Sequence, residues 1–408
     1  MADSIESRAS WVAASVAIAI LSISYGAPLI VVVGLKPITA ALGGDRSVVA
    51  LAAALVWVGT GAGGIPMGWL ADRIGVRRTV MFGAVMTALG LAVSALGSVW
   101  ALYLGHAVLI GFLGGGALYP PLLIHISRWF DRRRGAALAL ISSGQYVAGV
   151  VWPSAFQHMI LWLGWQATML AFIAPLALIV PLALLLRPAP PPGHAAGNSF
   201  LTFRGTQALG LRPKTVQALL CAASFLCCVP MAMPSSHLVA YCSDLGIAPA
   251  QGAAMLSVLL GSAFASRMLW GWLADRIGGL ATVLAGSACQ ALAIALFSVT
   301  RSEAGLFAVS AAYGLGFSGI IPAYIVAIRE FFPSAEASWR VPALLFVSMG
   351  GMAFGSWFAG ALYDWLGFYA PAFAAGALFN LMNLAVIGFL IMRQARAPRP
   401  PATASLVR

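Results

Sequence analysis

Long apolar runs without a single charged residue dominate this chain, and the first of them extends from Trp11 to Val33. Such a run is long enough to cross the hydrocarbon core of a bilayer as a helix, which takes about 20 residues. It is too long for a strand of a membrane β-barrel, which alternates in polarity over about 10 residues. Charged residues make up only 8% of the sequence, whereas soluble domains carry roughly 25%. The sequence therefore predicts an all-α integral membrane protein.

The apolar runs and the polar stretches between them predict the number of membrane crossings. We expect twelve transmembrane helices, at about residues 11–33, 47–71, 78–98, 101–127, 135–157, 165–187, 215–241, 250–273, 280–299, 303–329, 340–362 and 368–392. No nucleophile triad, phosphate-binding loop or metal cluster stands out in the sequence, so neither an enzymatic activity nor a cofactor is expected.

Lysines and arginines are distributed unevenly over the predicted loops. If the N-terminus is cytoplasmic, only Lys36, Arg46 and Arg301 lie outside, Arg267 lies within the membrane, and all the others lie on the cytoplasmic side. Cytoplasmic loops of membrane proteins are enriched in these cations. We therefore predict an inner (plasma) membrane protein with both termini in the cytoplasm. The same rule explains the net charge of +12, so no nucleic-acid partner is expected.

An internal repeat divides the chain into two parts. The octapeptide GWLADRIG occupies residues 68–75 and again 271–278, and WLG occurs at 162–164 and 365–367 with the same spacing. A basic stretch rich in Pro and Gly lies between the copies, which is typical of a linker. We predict two pseudo-symmetric six-helix bundles, residues 1–187 and 215–408, joined by a cytoplasmic linker at 188–214.

The repeated octapeptide, extended to GWLADRIGVRR at 68–78, resembles the loop motif of the major facilitator superfamily. This resemblance covers the chain from residue 11 to about 392 and implies the major facilitator fold. It also implies that Asp72 and Asp275 meet helix N-termini or arginines across the two halves and so lock the cytoplasmic side. The residues that match this latch are Gly68, Asp72, Arg73, Gly75, Arg77, Arg78, Gly271, Asp275, Arg276 and Gly278.

Three further stretches resemble the monocarboxylate transporters and their bacterial oxalate/formate-exchanger relatives. They are WFDRRRGAALALISSG at 129–144, SYGAPLIVVVGLKPI at 24–38, and the arginine four residues before Gly271. The resemblance implies that Arg267 binds a carboxylate. Leu29 stands where animal members carry a lysine, and Ala263 where they carry an aspartate, so proton coupling and anion exchange both remain open. The oxalate exchanger carries a second cation in its eleventh helix, whereas the stretch 341–362 of this chain has none. This departure from the resemblance favours a singly charged substrate over a dicarboxylate.

Arg267 is also unusual on physical grounds. It lies eight residues before Asp275, or about 12 Å along a helix, and therefore near the membrane midplane. An isolated arginine there costs at least about 2.5–3.5 kcal/mol, and no acidic residue falls within the predicted membrane interior. The corresponding residue of the first repeat is Gly64, so the architecture does not require an arginine. We predict an anion-binding residue, with a snorkelling or carbonyl-paired structural arginine as the alternative.

Aromatic and polar residues at similar depth are the other candidates for the binding site. A tyrosine ring offers an apolar wall with one hydroxyl, which suits a small carboxylate with an apolar end. We expect a monomeric secondary transporter that moves monocarboxylates such as lactate or pyruvate by alternating access, with a proton or a counter-anion as partner. An efflux transporter of neutral or amphipathic compounds and a dicarboxylate or formate exchanger are the alternatives. The candidate substrate-binding residues are Arg267, Tyr119, Tyr25, Tyr146, Leu29, Phe317 and Ser318.

Overall fold

The computed structural model describes residues 6–130, 134–188 and 209–396, and within them every regular element is a helix. We number the long helices α1 to α12. Short helices, Leu35–Leu42 and Arg134–Ser142, follow α1 and precede α5 respectively. The long helices are α1 (Arg8–Val33), α2 (Arg46–Ile74), α3 (Val76–Ser94), α4 (Val99–Ser127), α5 (Gly144–Leu163), α6 (Trp165–Leu185), α7 (Pro213–Asp244), α8 (Pro249–Ile277), α9 (Gly279–Val299), α10 (Glu303–Phe331), α11 (Ser334–Leu366) and α12 (Ala370–Arg396).

Eleven helices in the described part are long and apolar enough to cross a membrane, which confirms an integral multi-pass membrane protein. The predicted fifth span, at about 135–157, corresponds to Arg134–Ser142 and α5 and is not among them. Polar side chains at Gln145, Gln157 and His158 lower the hydropathy of α5. The count of twelve spans therefore stays a prediction. So does the division of the chain at residues 187 and 215, because 189–208 of the predicted linker lies outside the described residues.

Two interruptions of the long helices lie next to prolines. A proline lacks the N–H group that would bond the carbonyl four residues earlier. In α1, Pro28 removes the donor to Ser24, and the helix is interrupted beside it, at Tyr25. In α10, Pro322 removes the donor to Ser318, which ends the first part of that helix. Irregular backbone at membrane depth is tolerated where it is buried in protein or lines a cavity, so these breaks mark the interior of the bundle.

Two helix pairs join residues 6–188, the N-terminal segment, to residues 209–396, the C-terminal segment. Helix α2 packs against α11, and α5 packs against α8. Glycines allow both approaches: a Cβ atom added at Gly149 would lie 2.0 Å from Leu260, and one at Gly360 would lie 2.9 Å from the Cα atom of Ser47. The segments therefore meet through backbone-close contacts with little room for larger side chains.

The bundle has two ends that differ in how tightly the segments meet. We call the end where α1 begins and α12 ends the termini face, and the opposite end the distal face. Close to the termini face, a Cβ atom added at Gly68 of α2 or Gly271 of α8 would meet no other atom within 4 Å. The side chains of Ile65 and Met268 beside them are largely exposed. Helices α2 and α8 thus end without neighbours on these faces.

The glycines of α11 allow a direct test of close helix packing. A Cβ atom at Gly355 would lie 2.0 Å from the carbonyl oxygen of Val229 in α7, whereas one at Gly350 would meet nothing within 4 Å. Gly355→Ala is expected to cost about 1–3 kcal/mol through overpacking and to lower the melting temperature. Gly350→Ala is expected to leave it unchanged or slightly raised. Differential scanning fluorimetry in detergent measures both, and equal melting temperatures would contradict the packing argument.

Candidate anion-binding site

Arg267 lies on α8 where that helix faces the start of α5. Its Nη2 atom donates to the hydroxyl of Ser142 at 3.0 Å, across the boundary between the two segments. Its guanidinium carbon lies 5.3 Å from the ring centroid of Tyr146. Its Nε atom is buried and has no hydrogen-bond partner within the described part of the chain. Burying an N–H group without a hydrogen-bond partner costs about 1–3 kcal/mol of stability. Arg267 therefore carries one unused donor in the protein interior, which a ligand could satisfy.

No carboxylate within the described residues forms an ion pair with Arg267. Its side chain is half-buried, where a charge needs a partner more than it does in water. A ligand carboxylate accepts two parallel N–H bonds from one guanidinium group. The unpaired Nε is one of the donors that such a ligand would take up.

Tyr25 and Tyr119 form an aromatic pair beside the arginine. Their ring centroids are 6.0 Å apart in an edge-to-face arrangement. Both phenol groups lie close enough to Arg267 and to Tyr146 to interact with them electrostatically. Tyr25 stands at the break of α1, and Tyr119 follows a wide-turn π-helical stretch of α4, Leu104–Gly115. Irregular helix geometry thus brings the two hydroxyl-bearing rings to one place.

The space beside this tyrosine pair is small. A cavity of about 20 Å³ lies among Tyr25, Pro28, Thr60 and Tyr119, which is room for about one water molecule. In this conformation, that side of the site admits a group the size of one or two heavy atoms.

The remaining predicted site residues have contacts with other side chains of the described structure. Phe317 is buried and packs edge to face against Tyr146, with 6.1 Å between the ring centroids. The hydroxyl of Ser318 is 2.8 Å from that of Ser266, so it joins α10 to α8 behind the arginine. Leu29 is half-buried one turn after Tyr25 and packs against the apolar core. Arg267, Tyr146, Tyr25 and Tyr119 form the cluster, and Ser318 and Leu29 support it from outside.

Sequence reasoning missed Ser142, although this serine belongs to the stretch 129–144 that carries part of the family resemblance. Residues 131–133 of that stretch lie outside the described residues. Its hydroxyl donates to the carbonyl of Leu138 at 2.6 Å and accepts from Arg267. A serine in a helix can donate its hydroxyl hydrogen to a backbone carbonyl of the preceding turn. A serine in an apolar run is therefore energetically cheap, and its presence in the sequence does not indicate a binding site. Its position at the segment boundary becomes visible only in the fold.

Sequence reasoning also missed an ion cluster that closes the distal face. Arg46, at the start of α2, binds both carboxylate oxygens of Asp244, at the end of α7, with Nη2 to Oδ1 at 2.8 Å. Lys36 lies 3.0 Å from the same carboxylate. The Arg46 side chain is only 9% exposed. Lys36 and Arg46 belong to the N-terminal segment and Asp244 to the C-terminal segment, so these ion pairs hold the two segments together.

A second carboxylate caps the N-terminus of α2 at the same place. Asp364, near the end of α11, accepts hydrogen bonds from the backbone N–H groups of Arg46 and Ser47, both at 2.8 Å. The first N–H groups of a helix have no partner within the helix and carry partial positive charge. Asp364 therefore adds a second electrostatic contact between the segments.

Hydrogen bonds continue from the ion cluster into the C-terminal segment. Arg46 donates to the hydroxyl of Tyr369 at 3.1 Å, and burial raises the pKa of Tyr369, so this hydroxyl keeps its proton. The hydroxyl lies 3.0 Å from Nδ1 of His237, whose Nε2 lies 2.7 Å from the carbonyl oxygen of Ser356. A carbonyl only accepts, so Nε2 carries the hydrogen and Nδ1 accepts from Tyr369. Both ring nitrogens of His237 are thus hydrogen-bonded.

The two copies of the repeated motif end in the same backbone conformation at the termini face. Gly75 and Gly278 have φ angles of +86° and +84°, which residues with a side chain rarely adopt. In both copies an arginine stacks on the motif tryptophan: Arg73 lies 3.8 Å from the Trp69 ring centroid, and Arg276 lies 4.1 Å from that of Trp272.

Among the residues that the structure describes, the motif carboxylates form no contact between the segments in this conformation. Asp72 lies 3.7 Å from Arg128, which belongs to the same segment, and Asp275 is exposed. The Nη2 atom of Arg77 donates to the carbonyl of Leu186, also in that segment, while Arg78 is exposed. The expected contact across the halves is therefore not formed while the distal face is closed, and the latch role stays a prediction.

Comparison with known proteins decides the family. The model of the Major Facilitator Superfamily matches residues 12–338 and 219–407. The chain belongs to the Major Facilitator Superfamily. The predicted resemblance is thereby confirmed, and the protein is a membrane transporter of this superfamily, as its relatives are.

Relatives of this superfamily protein include two named monocarboxylate transporters. Monocarboxylate transporter 13 of Bos taurus is 28% identical over 336 residues, covering 79% of this chain and 76% of the relative. Monocarboxylate transporter 11 of Mus musculus is 29% identical over 392 residues, covering 91% and 85%. The MFS-type transporter pynF of Aspergillus niger is 28% identical over 335 residues, covering 79% and 75%.

Solved structures of other transporters share the fold of this superfamily protein. The peptide transporter POT in complex with sulfate superposes with a TM-score of 0.74 at 16% identity, covering 95% of each chain. The nucleoside transporter NupG superposes with a TM-score of 0.72 at 14% identity, covering 94% of this chain and 99% of the other. At such identity the likeness establishes the fold alone.

Proposed function

We propose that this protein is a secondary transporter of small organic monocarboxylates, with lactate and pyruvate as representative cargo. The observation that carries the proposal is Arg267, a half-buried guanidinium group with one unpaired buried N–H and a serine of the other segment as its bonded partner. The rings of Tyr25, Tyr119 and Tyr146 give the site apolar walls for the non-ionic end of the cargo. The two named monocarboxylate transporters among its relatives support the same substrate class.

Transport by alternating access follows from the placement of this site. Arg267 and Ser142 belong to different segments, so rocking of one segment against the other changes the site and its exposure together. The ion cluster joins the two segments at the distal face, whereas Gly68 of α2 and Gly271 of α8 have free space beside them near the termini face. We propose twelve spanning helices in two six-helix halves, with both termini in the cytoplasm of the inner (plasma) membrane. The structure then corresponds to the inward-open state of a monomeric carrier.

The site contains one cation and no mid-membrane acid, and this limits the coupling. Leu29 and Ala263 stand where the resemblance places a lysine and an aspartate. Without them, a proton travels with the cargo carboxylate at the guanidinium group, or an anion of the same charge returns in exchange. One arginine neutralises one negative charge, which favours monocarboxylates over dicarboxylates.

A ligand screen by thermal shift tests the substrate class, because a ligand that binds only the native state raises the melting temperature. Lactate and pyruvate at millimolar concentration are expected to raise it by a few degrees, and more at pH 5.5 than at pH 7.5 if a proton binds with the cargo. Oxalate and the matched neutral amide lactamide are expected to have little effect. Stabilisation by lactamide or by neutral amphipathic compounds, without any by carboxylates, would favour efflux of neutral compounds instead.

A further inference from the structure

A second charged site lies at the termini face of the N-terminal segment, away from Arg267. A groove of about 550 Å³ runs between the end of α2, the start of α3 and the ends of α4 and α6. Four arginine side chains line it and one carboxylate, Asp72, faces them. The arginines are Arg77, Arg78, Arg128 and Arg187.

Local contacts leave most of this positive charge uncompensated. Arg128 is 3.7 Å from Asp72, with both side chains well exposed, and such a pair contributes little. Arg77 bonds only a backbone carbonyl. Arg78 and Arg187 are exposed and form no ion pair with any residue that the structure describes. The groove thus carries an excess of positive charge.

The general preference for cations at cytoplasmic loops does not account for this clustering. The C-terminal segment carries the second copy of the repeat, and the residues 203 positions after Arg77, Arg78 and Arg128 are Leu280, Ala281 and Phe331. There, the start of α9 is instead capped by a carboxylate, Glu330, which accepts from the Gly279 N–H at 3.1 Å. The start of α9 is therefore capped by a carboxylate of its own segment, whereas the start of α3 carries Arg77 and Arg78.

The groove also has an apolar side. Ile124 and Ile74 line it with 49% and 37% of their surfaces exposed, and Pro121 lies between the arginines and the membrane interior. A free inorganic anion would use the arginines and leave these side chains in water. An anionic phospholipid would use both, with its phosphate at the arginines and the first part of an acyl chain along Ile124.

We propose that this groove binds the headgroup of an anionic phospholipid from the leaflet at the termini face. Phosphate groups accept several hydrogen bonds from guanidinium groups at once, and the amides at the start of α3 add partial positive charge. The lipid phosphate competes with Asp72 for Arg128. It therefore acts on the loop between α2 and α3, which carries the repeated motif.

Lipid binding in detergent solution tests the proposal without any transport measurement. The probe is phosphatidylglycerol, with phosphatidylcholine as the neutral reference, and native mass spectrometry counts the bound lipid. Arg78→Gln/Arg128→Gln is expected to lower phosphatidylglycerol binding about tenfold, since each interfacial arginine contributes several-fold. The matched control, Arg73→Gln/Arg276→Gln, also removes two termini-face charges, but these arginines stack on tryptophans outside the groove. The control is expected to bind within twofold of the unaltered protein.

Three results would overturn the proposal. They are equal losses in the two double variants, equal binding of phosphatidylcholine, and displacement of the lipid by millimolar inorganic phosphate, which would indicate a site for a free anion. Arg78→Gln alone guards against misfolding, because Arg78 is exposed and forms no ion pair with a described residue. It is expected to lower binding about threefold. Unchanged binding in that variant contradicts the proposal as well.

Discussion

Arg267→Ala is expected to lower the uptake of lactate or pyruvate into proteoliposomes about a hundredfold or more. Removing one partner of a buried, hydrogen-bonded charge pair weakens binding by a factor of this order. Arg267→Lys keeps the charge but loses the planar pair of donors, so a smaller loss of about tenfold is expected. Counterflow of radiolabelled substrate measures both, with Arg301→Ala, which removes an exposed arginine near the distal face, as the control.

The stability of the Arg267→Ala protein separates a binding role from a structural one. If the arginine holds the fold, its removal lowers the melting temperature by several degrees. If its partner is the cargo, the empty protein loses an unpaired buried N–H, and the melting temperature stays unchanged or rises. Stabilisation by lactate should disappear in the same variant. Normal carboxylate uptake by Arg267→Ala would rule out the proposed site, whatever its stability.

Asp244→Asn is expected to open the distal face. This substitution leaves Arg46, with its nearly buried side chain, and Lys36 without their shared carboxylate. Loss of one partner in such a cluster destabilises the distal-closed state by about 2 kcal/mol or more. The ratio of distal-open to distal-closed protein then rises roughly 30-fold. Spin labels on Ala41 and Phe368, which are exposed on opposite segments at this face, are expected to report longer distances.

Two variants make that measurement specific. Asp45→Asn removes an acid directly beside Arg46 that makes no side-chain cap of its helix, and the label distances are expected to stay unchanged. Exchanging the charges, with Arg46→Asp and Asp244→Arg together, is expected to restore part of the short-distance population. If Asp244→Asn and Asp45→Asn gave the same distances, the ion cluster would not be what closes this face.

The main helices and the outlying arginine could be predicted because each has a large local energetic signature. An apolar run long enough to cross a bilayer, such as 11–33, is compatible with few structures other than a helix. A charge as deep in the membrane as Arg267 is energetically unfavourable, which marks it as a candidate functional residue. The expected fifth span was less secure, because Gln157 and His158 make α5 more polar than its neighbours. The repeated octapeptide ends in glycines of matching conformation, Gly75 at the end of α2 and Gly278 at the end of α8.

The distal ion cluster could not be predicted because no local signature marks its members. Arg46 and Asp244 each stand at a helix end, where a charge is ordinary. Only the packing of α11 against both α2 and α7 brings them together. Asp72 illustrates the opposite case, in which the sequence predicted a contact that this conformation does not contain among the described residues. The family resemblance implied a partner across the segments, but in this conformation the nearest cation is Arg128 in the same segment.

In the proposed transport cycle, the distal ion cluster also determines how much free energy the binding of a cargo must contribute. An empty carrier whose outer mouth is held shut by paired charges opens that mouth only if binding contributes at least the free energy of the lost pairs. A ligand shifts an equilibrium by no more than its differential affinity for the two states. A molecule that enters the site but binds both states equally leaves the mouth closed and is not carried. In the proposed transport cycle, the strength of this ion cluster acts as a selectivity threshold for the cargo.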